Sequence, residues 1–101
     1  MNFYPFHVGD YFSHTSHLTD EEDLAYRRMI DLYYQTEAPF PDQFFVARRV
    51  RSSPAVVEQL LQEFFTQESD GWHNRRADQE IAKYHAKADS ARNANKIRWG
   101  S

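Results

Sequence analysis

Two turn signals, Ser53-Pro54 and Asp70-Gly71, constrain this chain more than any other feature. A serine at an N-cap accepts a hydrogen bond from a free backbone N–H. A proline after it has no N–H to leave unsatisfied, and its φ is already set for a helix. A helix therefore starts at Ser53-Pro54 and runs to about Phe65, with Val57, Leu60, Leu61 and Phe64 at the i, i+3, i+4, i+7 spacing of a buried stripe. Asp-Gly supplies the positive φ of a tight turn, so Phe65-Thr66-Gln67-Glu68 and Trp72-His73-Asn74-Arg75 read as a hairpin.

Upstream, Thr19-Asp20-Glu21-Glu22 matches a capping box, in which hydroxyl and carboxylate each bond a free backbone N–H of the other's residue. It predicts a helix from Asp20 to about Thr36. Ala25, Met29, Leu32 and Tyr33 form one stripe, and Tyr26, Ile30 and Tyr34 the next. Ala38-Pro39-Phe40-Pro41 breaks that helix, because each proline biases its predecessor to extended backbone, and the piece has the form of a short strand. Pro41-Asp42 opens another helix through about Val50, with Phe44, Phe45 and Ala47 or Val50 inward and Arg48 and Arg49 outward; Arg51-Ser52 is a tight turn. Residues 2–18 show neither period. Pro5 and Gly9 interrupt them, a short turn fits Asp10–Ser13, and the rings there are expected to clasp the helices that follow. A last helix starts near Ala77 and docks through Ile81, Tyr84 and Ala88; its end is poor in apolar residues and is expected to fray or meet a partner.

The order helix, extended piece, helix, tight turn, helix, hairpin, helix is that of a winged helix. The expected fold is mainly α with a small β-hairpin: a winged-helix-like domain over residues 1–80 and a basic C-terminal helix or tail over 81–101.

With 101 residues, 16% of them aromatic, the chain is of single-domain size and rich enough in large side chains to fold. No apolar run spans a membrane, and Met1-Asn2-Phe3-Tyr4-Pro5 has neither a basic nor an apolar signal region. Zero cysteines exclude disulfides and thiolate chemistry, and the expected compartment is a cytoplasm. Net charge is −3, but it is segregated: net −6 through Phe45 and net +3 from Val46 onward. After Glu80, Lys83, Lys87, Arg92, Lys96 and Arg98 face only Asp89, a tail suited either to an anionic partner or simply to solvent.

A groove-reading helix normally carries Arg, Lys, Asn or Gln near its start. The helix after Ser53 instead presents Ala55, Glu58, Gln59, Gln62 and Glu63, and its acids oppose phosphate, which counts against conventional major-groove reading. Bases flank it: Arg48, Arg49 and Arg51 before, Arg75 and Arg76 after the hairpin, a candidate phosphate clamp. Trp72 is a candidate stacking surface for an unpaired base, although a core ring at the hairpin–helix junction is the simpler reading. His14-x-x-His17, with Asp10, has ligand spacing but is only a weak metal candidate, and His17 fits an orienting hydrogen bond better. No nucleophile arrangement or phosphate-cradling glycine loop stands out, so neither a catalytic residue nor a cofactor is expected and a non-enzyme is favoured.

Tyr4-Pro5-Phe6-His7-Val8-Gly9-Asp10-Tyr11, Thr15-Ser16-His17-Leu18-Thr19, Tyr33-Tyr34 and Pro39-Phe40-Pro41-Asp42 resemble the YdaU-like family, a domain of unknown function found in phages and prophages. Phe64-Phe65, Trp72 and the segment from Ala91-Arg92 to Ile97-Arg98-Trp99 fit it too, whereas Asp23 stands where relatives often have a small residue. The resemblance implies a winged-helix-like module of phage DNA replication, binding an origin or recruiting a helicase or its loader, and it carries over no catalytic residue. Larger relatives continue further, so the chain is expected to be a short stand-alone member or an N-terminal piece. The alternative is a protein–protein module, an adaptor or homo-oligomer, suggested by the acidic body and the weakly apolar tail.

Overall fold

The helices that begin at Asp20, Gln43, Pro54 and Arg75 each have their start fixed by a side chain that satisfies a free backbone N–H, whereas the helix that begins at Val8 has no side-chain cap. The computed structural model describes Met1 and residues 4–99, with side chains through Asn93. In order it shows α1 (Val8–Thr15), α2 (Asp20–Thr36), α3 (Gln43–Val50), α4 (Pro54–Phe64), β1 (Thr66–Glu68), β2 (Gly71–His73) and α5 (Arg75–Trp99). The capping box of α2 is complete: the Glu22 N–H donates to Thr19 Oγ1 at 3.2 Å and the Thr19 N–H to Glu22 Oε1 at 2.9 Å. Those bonds from Thr19 hold the Glu22 carboxyl below the usual carboxylate range. Asp42 caps α3 by accepting from the Phe45 N–H, and Ser53 caps α4 by accepting from the Val56 N–H.

α2 is the central element. It buries Ala25, Met29, Tyr33 and Tyr34 against Val46, Ala47 and Val50 of α3 and Val57, Leu60 and Leu61 of α4. The hairpin pairs β1 and β2 antiparallel, with Thr66 opposite His73 and Glu68 opposite Gly71. Phe40 lies against its outer side in a single β-bridge to Trp72, donating its N–H at 3.0 Å and accepting at 2.8 Å. The extended piece around Pro39 thus supplies one bridge, and its ring fills the core between Tyr33 and Phe65.

Three expectations are corrected. Residues 8–15 form a helix rather than a short turn at Asp10–Ser13. Its apolar spacing is masked in the sequence because Val8 and Phe12 point outward, and Phe12, at 71% exposed, does not clasp the body. Phe44 is exposed, because α3 begins at Gln43 and its buried stripe runs Val46, Ala47, Val50, leaving Phe44 about a third of a turn away. Tyr84 is 49% exposed, because α5 docks on α2 through its first turns, with Ala77 buried and Ile81 half-buried, and then runs on. Phe3 lies outside the described residues.

Candidate nucleic-acid interface

Five candidate arginines flank α4 in chain order, Arg48, Arg49 and Arg51 before it and Arg75 and Arg76 after the hairpin that follows it. Arg48 and Arg49 occupy the last turn of α3, where a cation complements the helix dipole. Arg49 folds back, with its guanidinium 3.6 Å from the Phe45 ring centre and donating to the Phe45 carbonyl. Arg51 ends α3 in the left-handed region, at φ 59°. This conformation costs an L-residue about 1 kcal/mol, and glycine would adopt it freely.

Beyond the hairpin, buried Asn74 accepts from the Ala77 N–H at 2.9 Å and starts α5, which places Arg75 and Arg76 in its first turn. Cations there oppose the helix dipole, so the helix itself gives no reason for them. Arg76 is held by Asp10 at 3.1 Å and Glu80 at 3.6 Å. Arg48, Arg51 and Arg75 are exposed and make no ion pair among the described residues. Arg75 and Arg76 border a cavity beside α1 that Arg48, Arg49 and Arg51 do not reach.

The outward face of α4 is exposed at Ala55, Glu58, Gln59, Gln62 and Glu63. Two of these side chains are tied back to the molecule, Gln59 donating to Glu22 at 2.9 Å and Glu63 bonding His17. Trp72 is half-buried and packs on the core. His14 turns its Nδ1 to the Asp10 carbonyl at 2.7 Å while His17 faces Glu63, so the two imidazoles serve different partners. Among the described residues no three His, Asp or Glu groups gather as metal ligands. Lys83, Lys87 and Arg92 are exposed along α5, Arg92 being 3.3 Å from Asp89, and the side chains of Lys96 and Arg98 lie outside the described residues.

Two features escaped sequence reasoning because they join distant segments. One is a cavity of about 310 Å³ between the N-terminal segment, α1, α2 and the start of α5. The other is His73, at the hairpin's exit. Its Nε2 lies 2.7 Å from Asp70 and its Nδ1 2.9 Å from Asp78. Glu68 stands 3.7 Å away, and the Tyr33 hydroxyl, 3.5 Å from the ring, donates to Asp78. The bonds to Asp70 and then Asp78 raise the His73 pKa, and the bond from His73 lowers that of Asp70.

The sign of the pH effect follows. Stability from charged His73 is full below its unfolded pKa of about 6.5 and is lost as pH rises through the higher folded value. Stability from Asp70 is present above about pH 4 and is lost as pH falls through its lowered folded value. The stability difference between the wild type and His73→Gln is therefore expected to be greatest between about pH 4 and 6.5 and to shrink at higher pH. Paired thermal melts across pH 4–9 check it, and a difference constant with pH would contradict it.

These elements define a mainly helical domain with a two-stranded hairpin and a long terminal helix. Residues 2–82 match the family described as Protein of unknown function (DUF1376), and the chain belongs to that family. It is 34% identical over 83 residues to "Uncharacterized protein YdaU" of Escherichia coli (strain K12), a match covering 80% of this chain and 29% of that protein. The chain thus spans less than a third of its relative's length. No solved structure matches. No helix among the described residues is long and apolar enough to cross a membrane.

Proposed function

We propose that the domain is a non-enzymatic DNA-binding accessory module of phage or prophage replication, with a winged-helix architecture in which α3 and α4 form the helix-turn-helix and β1–β2 the wing. One observation carries it: Arg51 holds a left-handed position in the turn between α3 and α4, with Arg48 exposed in the last turn of α3, while Arg75, which follows the hairpin, is exposed and unpaired among the described residues. Neither the Arg51 backbone nor the α5 dipole is served by an arginine, so recognition of an anion is the function these groups suit. α4 itself lacks a base and has two outward side chains engaged, which favours contact with the phosphate backbone over reading of base edges. Recruitment of a replicative helicase or its loader is the expected role of the rest of the surface.

Filter binding over a salt series tests this. Three freed phosphate contacts are expected to cost on the order of 10- to 100-fold in affinity between 50 and 200 mM salt. No binding at low salt, or binding indifferent to salt, would overturn it.

A second reading, a protein–protein or dimerisation module, rests on α5, which runs on past Ile81 with Tyr84 49% exposed. Light scattering separates the two: a monomer that binds DNA supports the first, and a dimer that ignores DNA supports the second.

A further inference from the structure

We infer that the cavity between the N-terminal segment, α1, α2 and the start of α5 is a binding site for a single unpaired nucleotide, with aromatic walls for the base and guanidinium groups for the phosphate. The choice of ligand rests on the nucleic-acid reading above; the cavity does not.

The walls are ring faces. Tyr26 stacks on Phe64, with ring centres 4.3 Å apart, and on Tyr11 at 6.1 Å. Tyr4 lies flat on Tyr34, centres 4.0 Å apart and planes within 3°. Three of these phenols send their hydroxyls to carboxylates of the body: Tyr4 to Asp31, Tyr11 to Asp23 and Tyr34 to Glu80. Burial and then those carboxylates keep the three phenols protonated as donors, Tyr4 being pushed up to about 12. Their polar ends are satisfied and the rings are fixed, leaving flat apolar surface around about 310 Å³. The Tyr26 hydroxyl has no hydrogen-bond partner among the described residues, so the edge of a base can take it.

The charged side chains lining the cavity are the guanidiniums of Arg27, Arg75 and Arg76 and the carboxylate of Asp10, with Asp23, Asp31 and Glu80 behind the walls as the acceptors of the phenols. Arg27 is already seated on ring faces, 4.2 Å from the Phe6 centre and 5.5 Å from that of Tyr11. Arg76 is oriented by Asp10 and Glu80. Pre-positioned planar donors suit phosphate oxygens, which they bind through paired N–H groups. A cationic ligand is disfavoured, because the guanidiniums of Arg27, Arg75 and Arg76 line the cavity. Base–ring stacking is indifferent to sequence but requires a base out of its duplex.

The test titrates dTMP, dAMP, deoxyadenosine, inorganic phosphate, N-acetylphenylalanine and an eight-residue oligo-dT into the full chain at low salt, followed by NMR. Both mononucleotides are expected to bind, and the nucleoside and phosphate to bind at least about tenfold more weakly, since each lacks one half of the recognition. Arg75→Glu should weaken dTMP about tenfold or more, and Phe6→Ala, a substitution of an exposed ring, should weaken it several-fold, both folded by thermal melting. Arg48→Glu, away from the cavity, should leave dTMP binding unchanged while weakening DNA in the filter assay. Oligo-dT tighter than dTMP identifies single-stranded DNA as the source, and equal affinity identifies a free nucleotide. The proposal is overturned if no mononucleotide binds, if Arg75→Glu has no effect, or if N-acetylphenylalanine binds as well as dTMP, which would assign the cavity to a peptide terminus. Salt-sensitive DNA binding that survives such a failure would leave the broader reading standing.

Discussion

Gly71→Ala is expected to destabilise the domain by about 2–4 kcal/mol. Gly71 sits at φ 132°, a backbone region that side-chain-bearing residues avoid. A Cβ there would lie 2.5 Å from the Phe40 carbonyl oxygen and 3.2 Å from its carbon. Both are backbone atoms, so no rotamer change relieves the clash. Relief requires moving Phe40 off the hairpin, at the expense of the hydrogen bonds of 3.0 and 2.8 Å that join it to Trp72. Urea unfolding measures the cost as a lowered midpoint with an unchanged slope. A loss below about 0.5 kcal/mol would mean that the hairpin is not docked on Phe40.

Leu60→Ala is expected to cost about 2–5 kcal/mol. Leu60 is fully buried in the core that α4 shares with α2 and α3. Truncation loses the transfer of its methyl groups out of water and leaves a void that the two flanking helices cannot close without shifting. Domains of this kind have roughly 5–15 kcal/mol of stability, so the change removes a large fraction of it. Calorimetry is expected to show a melting point lowered by about 10 °C or more. A change of a degree or two would place Leu60 outside the packed core.

The parts of the fold readable from sequence are those set by local chemistry. Thr19 with Glu22, Ser53 with Pro54 and Asp70 with Gly71 each fix a terminus or turn through bonds spanning four residues or fewer, and all three stand where expected. α1 was hidden because its regular spacing faces solvent at Val8 and Phe12, contrary to the rule that apolar residues seek the core. Phe44 is on the wrong side of α3 because neighbouring helical residues point about 100° apart, so Phe44 and Phe45 cannot share a face and the stripe Val46, Ala47, Val50 leaves Phe44 outside.

The candidate site was legible as a set of residues and not as an arrangement. The arginines that flank α4 in chain order are plain in the sequence. That Asp10 and Glu80 hold Arg76, that Arg49 lies on Phe45, and that Arg51 carries a left-handed backbone are long-range or conformational facts that composition does not encode. The aromatic cavity joins Tyr4, Tyr26, Phe64 and Arg75, which lie far apart in the chain, and His73 meets its carboxylates only once the hairpin closes.

Arg51→Gly separates the two reasons a residue can be kept at that turn. The substitution relieves the left-handed backbone, so urea unfolding should show a domain about 1 kcal/mol more stable. If Arg51 is there for phosphate, the same protein should bind DNA several-fold more weakly at 50 mM salt, with a slope against log salt shallower by about one. Greater stability with weaker binding is the expected result; greater stability with DNA affinity and salt slope unchanged would contradict a nucleic-acid role for the arginines around α4.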